Sequence, residues 1–202
     1  MKTFLHVGCG YNDKSNCLGF EGDDWKETRL DIDKDVSPDI LGTLTDMNTV
    51  ETASVDAIYS SHSIEHIFPH EIAIALKEFY RVLNDDGIVV ITCPDIQSVG
   101  EALTQDKLLE PIYESPMGPV TPFDILYGHR ETTTDGNIFM AHKSGFTYSI
   151  LDKVFSEAGF LARVGGRRPD ACSLYLVAFK EIKTNEELTK IANQFLPKGQ
   201  YA

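Results

Sequence analysis

Residues 55–92 read VDAIYSSHSIEHIFPHEIAIALKEFYRVLNDDGIVVIT, and this stretch decides the fold. Its ends, Val55–Ser60 and Ile88–Thr92, are short apolar runs. The second is nearly all β-branched, as a strand covered on both faces should be. Between them Ile72, Ala75, Leu76, Phe79 and Leu83 recur at helical spacing. Pro69 suits the first helical turn, where a missing N–H costs nothing. Asn84-Asp85-Asp86-Gly87 reads as the turn into the second run. Strand, helix, strand in this order predicts a crossover unit of a parallel α/β sheet.

Working outward, Thr3–Val7, Thr28–Ile32 and a short run near Ile40–Leu44 read as the preceding strands. Downstream, Thr147 or Ser149 can cap a helix carrying Ile150, Val154, Phe155 and Ala158, with Gly159 as its stop. Two closing strands, 160–164 and 173–179, and an amphipathic tail helix near 185–196 complete the chain. The prediction is one α/β domain over residues 1–202, doubly wound, with seven mostly parallel strands and an antiparallel last strand. Residues 96–145 break the pattern: Pro111, Pro116 (outside the residues the structure describes), Pro119 and Pro122 interrupt them and no period is sustained. So long a stretch without regular structure usually forms a lid or binding loop, and it is read as an insertion over the site.

Composition narrows the partners. The chain has 202 residues and a formal charge of −13, from 18 basic and 31 acidic side chains. Nucleic-acid binding draws most of its affinity from neutralising phosphates, so this balance argues against a DNA or structured-RNA partner. The one basic doublet, Arg167-Arg168, sits beside Gly165-Gly166 and Pro169-Asp170 and reads as a surface turn. No apolar run approaches the ~18 residues of a membrane span, and no signal-peptide core follows Met1, so a cytoplasmic protein is expected. Cys9, Cys17, Cys93 and Cys172 form no metal-binding or disulfide spacing and are expected to be free thiols.

Three motifs carry chemistry. Directly after the first strand comes His6-Val7-Gly8-Cys9-Gly10-Tyr11-Asn12, where Gly8 and Gly10 let the backbone turn and a ligand approach closely. A dinucleotide fingerprint would need a third glycine at 13; Asp13 stands there, and its charge would repel a pyrophosphate. About 20 residues on, Asp31 closes the second strand, at the spacing where such folds present a carboxylate to a ribose diol; Asp33 is the substitute. Third, His62-Ser63-Ile64-Glu65-His66 matches an inverted zinc-protease pattern, with His70 as a third histidine. It begins at a strand tip rather than within a long helix, so no metal is expected and His66 reads as a packing or capping residue.

Glycine loop, acidic strand end, the His62 segment and Leu76–Gly87, in that order, resemble class I, Rossmann-like S-adenosylmethionine-dependent methyltransferases of the small-molecule type. The likeness runs from about Phe4 to Asp95, and the stretches around 144–147 and 158–160 also look like that family. The resemblance implies S-adenosylmethionine as cofactor. It places Gly8 and Gly10 beneath the methionine part, Asp31 on the ribose hydroxyls, and Ile32, Asp46 and Met47 near the adenine. Ser61 and His62 would then border the point of methyl transfer. His62, His129 and His142 are the candidate bases by chemical type. Tyr113, Phe123, Tyr127 and His129 would wall an acceptor pocket, unless the aromatics merely pin the insertion as a satellite core. No Asn/Asp-Pro-Pro-Tyr/Phe or Pro-Cys follows the fourth strand, so nucleobase methylation fits poorly. The expected acceptor is a small molecule or glycan, with a catalytically silent binding module as the alternative. The insertion, or a second subunit in a homodimer, is expected to cover the cofactor.

Overall fold

The computed structural model describes residues 1–115, 118–130, 134 and 136–198. Seven strands form the main sheet: β1 (Lys2–Val7), β2 (Trp25–Asp31), β3 (Ile40–Leu41), β4 (Val55–Ser61), β5 (Leu83–Pro94), β8 (Ala162–Arg168) and β9 (Ser173–Phe179). Their order is β3-β2-β1-β4-β5-β9-β8. Neighbours from β3 to β5 run parallel, and β9 is antiparallel to both β5 and β8. This is the predicted sheet. The parallel order brings the carboxyl ends of β2, β1, β4 and β5 side by side along one edge, where doubly wound folds bind ligands.

Each face of the sheet has its own core. On one side α1 (Ile72–Val82) and α4 (Tyr148–Glu157) press Leu76, Phe79, Leu151 and Phe155 against Leu5, Ile58, Val89 and Ile91. On the other, α5 (Asn185–Phe195) adds Ala192 and Phe195 to Phe4, Phe20, Trp25, Tyr59 and Val177. Thr184 and Glu187 form a capping box that starts α5, a signal legible in the sequence but not read there. The links β1–β2 and β2–β3 contain only three-residue 3₁₀ turns, Lys14–Asn16 and Lys34–Val36. The tail helix therefore covers the face that a helix after β1 would otherwise cover.

Several local expectations are corrected. Asn84–Gly87 is not a turn before β5 but lies within it. Leu83 pairs with Val55 and Ile88 with Ala57, so the extra residues bulge out of the ladder. A Cβ at Gly87 would stand 2.7 Å from Leu83 Cδ1 and 2.9 Å from Asp56 O, which explains the glycine. Pro69 sits in the turn before α1, whose N-cap is Glu71. Arg167 and Arg168 end β8, and Arg167 Nε lies 2.6 Å from the fully buried Asp95 Oδ2.

Residues 96–145 hold more regular structure than their prolines suggested. They contain α2 (Ile96–Thr104), the hairpin of β6 (Tyr113–Ser115) and β7 (Gly118–Val120), and α3 (Pro122–Tyr127). Asp95 caps α2 by accepting from Gln97 N at 2.9 Å. Pro122, read as a loop breaker, occupies the first turn of α3 behind a Thr121–Asp124 capping box. All four cysteines are buried and free. Among the described residues no helix is long and apolar enough to cross a membrane.

Candidate functional site

The site begins where β1 ends. Gly8 and Gly10 have φ of +68° and +53°, a region that glycine enters without steric cost. They are needed for different reasons. A Cβ on Gly8 would lie 2.1 Å from Ser63 Oγ, so that glycine admits the β4 tip. A Cβ on Gly10 would meet no heavy atom within 4 Å, so Gly10 faces open space at the edge of the sheet.

Asp31, 9% exposed, fixes this turn to the end of β2. Its Oδ2 accepts from Gly10 N at 2.8 Å and its Oδ1 from Asp33 N at 2.9 Å. A carboxylate oxygen has two lone pairs, so both can still accept a hydroxyl. Arg29, which the sequence reading did not single out, braces the same turn. Its guanidinium donates to Gly10 O at 2.6 Å, Asn12 O at 3.1 Å and Ser37 O at 3.2 Å. Asp13 precedes a 3₁₀ turn rather than an α-helix. The hydroxyl and amide of Ser15 bond it and lower its pKa.

Ile32 is 45% exposed beside Asp31, an apolar surface suited to a flat ring. Asp46 is exposed and accepts from Asn48 N at 3.2 Å. Met47 departs from its expected place: its side chain is fully buried among Leu5, Val7 and Leu30, and its N–H donates to Glu78 at 3.0 Å. Core packing, not adenine contact, accounts for it. Open space at Gly10, an adjacent carboxylate and an exposed isoleucine together fit an adenosyl ligand.

At the next strand ends, Ser61 Oγ and Thr92 Oγ1 are 2.8 Å apart. His62 has φ +51°, uncommon for a side-chain-bearing residue, and its N–H donates to Thr92 O at 3.0 Å. The bend turns a half-exposed imidazole out of the sheet edge. A cavity of about 180 Å³ opens there on the α5 side, with Tyr59, Ser61, His62, Thr92 and Tyr175 as polar lining and Leu18, Val90, Phe195 and Pro197 as apolar walls.

Behind His62 lies Glu65, 1% exposed, with Oε1 3.4 Å from His62 Nδ1. Burial alone would lower the His62 pKa, but the Glu65 carboxylate outweighs it and the pKa is raised. Burial would raise Glu65; the surrounding His62, His66 and His142 outweigh that and hold it low.

Of the candidate bases, only His62 lines this cavity. His142 is brought to the same region from far along the chain, yet its Nδ1 is 2.8 Å from Ile125 O and its pKa is lowered by burial. His129 does not line the cavity, nor do Tyr113, Phe123 and Tyr127. Tyr113 packs on a satellite core of Val99, Val120, Ile125 and Cys172, and the Phe123 and Tyr127 rings lie 4.9 Å apart. Of these aromatics, Tyr113 belongs to the satellite core and Tyr127 is exposed. What sequence reasoning missed is the opposite wall: Tyr175 from β9 and Phe195 from the tail helix.

Within the insertion Asp124, 5% exposed, bonds Thr121 and pairs with Arg130 Nε at 2.9 Å. Burial would raise its pKa, but Arg130 and the Thr121 donors hold it far below the carboxylate range. A depressed pKa contributes stability that is present above the ordinary value near 4 and lost as pH falls toward the folded one. Asp124→Asn is therefore expected to lower Tm at pH 7 by about 2–6 °C, for a loss of ~1–2 kcal/mol. The gap from wild type should narrow below about pH 4; thermal melts at both pH values check it.

Comparison with known proteins bears on the domain and the fold. A family model described as a methyltransferase domain matches residues 5–91. A search of curated proteins returns no match. Among solved structures, the PH0226 protein of Pyrococcus horikoshii is 15% identical with a TM-score of 0.59, over 89% of this chain and 82% of that one. An S-adenosylmethionine-dependent methyltransferase of Thermotoga maritima is 14% identical with a TM-score of 0.56, over 90% and 83%. The 1,6-didemethyltoxoflavin-N1-methyltransferase of Burkholderia thailandensis, solved with its substrate and S-adenosylhomocysteine, is 14% identical with a TM-score of 0.52, over 88% and 69%. The fold is that of the class I methyltransferases. Over residues 5–91 the chain is similar to a methyltransferase domain, and it carries that domain on this fold.

Proposed function

We propose that the chain methylates a small-molecule or glycan-type acceptor bound in the cavity beside His62. The supporting observation is the position of that cavity at the tips of β4 and β5, two strands along the same edge from the Gly10–Asp31 crevice. S-adenosylmethionine supplies an already activated methyl group. The protein's own task is alignment, which can contribute ~7–11 kcal/mol.

In this reading Asp31 accepts from the sugar hydroxyls, Gly10 leaves room for the amino-acid portion, and Ile32 packs against the base. Ser61, Thr92 and Tyr175 orient the acceptor through hydrogen bonds, and Phe195 and Leu18 exclude water. His62 takes the acceptor proton where a hydroxyl must lose one. Residues 96–145, or a second copy in a homodimer, cover the bound cofactor. The free buried thiols suit the reducing cytoplasm, where we place the protein.

The test is transfer of an isotopically labelled methyl group to a panel of hydroxyl, carboxyl and amine metabolites and sugars. Turnover on one chemical class is expected. Cofactor binding without turnover on any acceptor would contradict the reading and favour a silent binding module.

A further inference from the structure

One group of side chains behind His62 touches neither the cofactor nor the acceptor as described. We propose that Glu65, His66 and His142 bind a divalent transition-metal ion of the zinc type.

A potential ligand atom from each of the three lies within 4.8 Å of those of the other two. Glu65 is fully buried, neither carboxylate oxygen has a hydrogen-bond partner, and its one ion-pair contact among the described residues is the long one from His62 Nδ1, 3.4 Å from Oε1. Burying a carboxylate this way is costly unless a positive charge meets it. The two histidines are oriented as ligands should be. His66 Nδ1 lies 3.1 Å from Ala141 O and His142 Nδ1 2.8 Å from Ile125 O. Carbonyl oxygens only accept, so each Nδ1 carries the proton and each Nε2 keeps a lone pair for a metal. A backbone carbonyl that fixes the tautomer in this way is the usual outer support of a metal-bound imidazole. Two imidazoles and one carboxylate are a donor set for zinc and its first-row neighbours.

The set differs from the one the sequence motif offered. His70 is exposed and stacks on Phe68 at 5.8 Å. His142, which no local pattern connects to Glu65, takes the third place. His66 and His142 are only partly buried, which leaves a path for the ion. Tetrahedral zinc with bonds of ~2.0–2.1 Å needs ligand atoms about 3.4 Å apart, so the side chains would draw together on binding.

The ion would fasten the end of residues 96–145 to the turn after β4. That junction already exists in the backbone: Lys143 N and Ser144 N donate to Glu65 O at 2.8 and 3.0 Å. By contrast, the His6, Cys17 and Glu27 cluster is satisfied internally, with His6 Nδ1 2.7 Å from Glu27 Oε1 and Cys17 Sγ 3.4 Å from Asp13 O. It leaves no buried oxygen in need of a cation.

The experiment strips the full chain with a chelator and titrates it with Zn²⁺, and with Co²⁺ as a spectroscopic probe. One ion per chain is expected, with a rise in Tm on the order of 5–10 °C at ~100-fold excess over Kd. Glu65→Gln and His142→Asn should each weaken binding at least about 100-fold while circular dichroism shows a folded chain. If Glu65→Gln fails to fold, His142→Asn carries the test. Two results would overturn the assignment: no stoichiometric uptake of either ion, which leaves a protonated histidine to neutralise Glu65, or uptake that survives the His142 substitution.

Discussion

Asp31→Ala is expected to weaken S-adenosylmethionine binding about 100-fold or more, measured by isothermal titration. A carboxylate that receives two sugar hydroxyls makes hydrogen bonds worth ~1.5–3 kcal/mol each, and 1.4 kcal/mol is a factor of ten. The substitution also frees Gly10 N, whose 2.8 Å bond to Asp31 holds the glycine turn against β2. Both losses act on the cofactor and neither on the acceptor. Asp31→Asn keeps one acceptor oxygen and the side-chain shape, so its loss should be smaller, on the order of tenfold. Unchanged affinity in the alanine variant would remove Asp31 from the site.

His62→Asn is expected to lower kcat about 100-fold for a hydroxyl acceptor while cofactor affinity stays within about threefold. General acid–base assistance contributes typically 10²–10⁴-fold, and His62 is the candidate base whose side chain lines the cavity. Asparagine is the informative replacement because it tolerates a left-handed backbone better than most residues, and His62 stands at φ +51°. A fall in kcat can then be assigned to the lost imidazole rather than to a distorted β4 tip. Steady-state kinetics with saturating cofactor separate kcat from KM. Unaltered kcat would show that acceptor alignment suffices without this histidine.

Much of the fold was legible because its signals are local. The β-branched run at 88–92, the helical spacing of Leu76 and Phe79, and Gly159 after the α4 helix each fix one element without reference to the rest. The Gly8–Gly10 turn and Asp31 were legible for the same reason, since strand ends and glycines mark the edge of the sheet. The failures have a common physical source in long-range contact. Met47 follows a strand, as an adenine contact would, yet its side chain is buried in the core on the α1 side of the sheet. The face of the sheet beside β1 is closed by Phe195, almost the full length of the chain away. Glu65 and His142 meet only because residues 141–144 return to the β4 tip, a path no periodicity announces. Pro122 misled differently: a proline that opens a short helix and one that breaks a loop look alike until Thr121 and Asp124 are read as a pair.

Pairing of a carboxylate with a bare glycine turn at the edge of the sheet is the central claim. A crystal structure with S-adenosylhomocysteine tests it most directly. The ribose is predicted within hydrogen-bond reach of Asp31, the amino-acid portion over Gly10, and the sulfur directed toward the cavity at His62. Density for the nucleoside elsewhere on the chain, with Asp31 bonded only to Gly10 and Asp33, would contradict it.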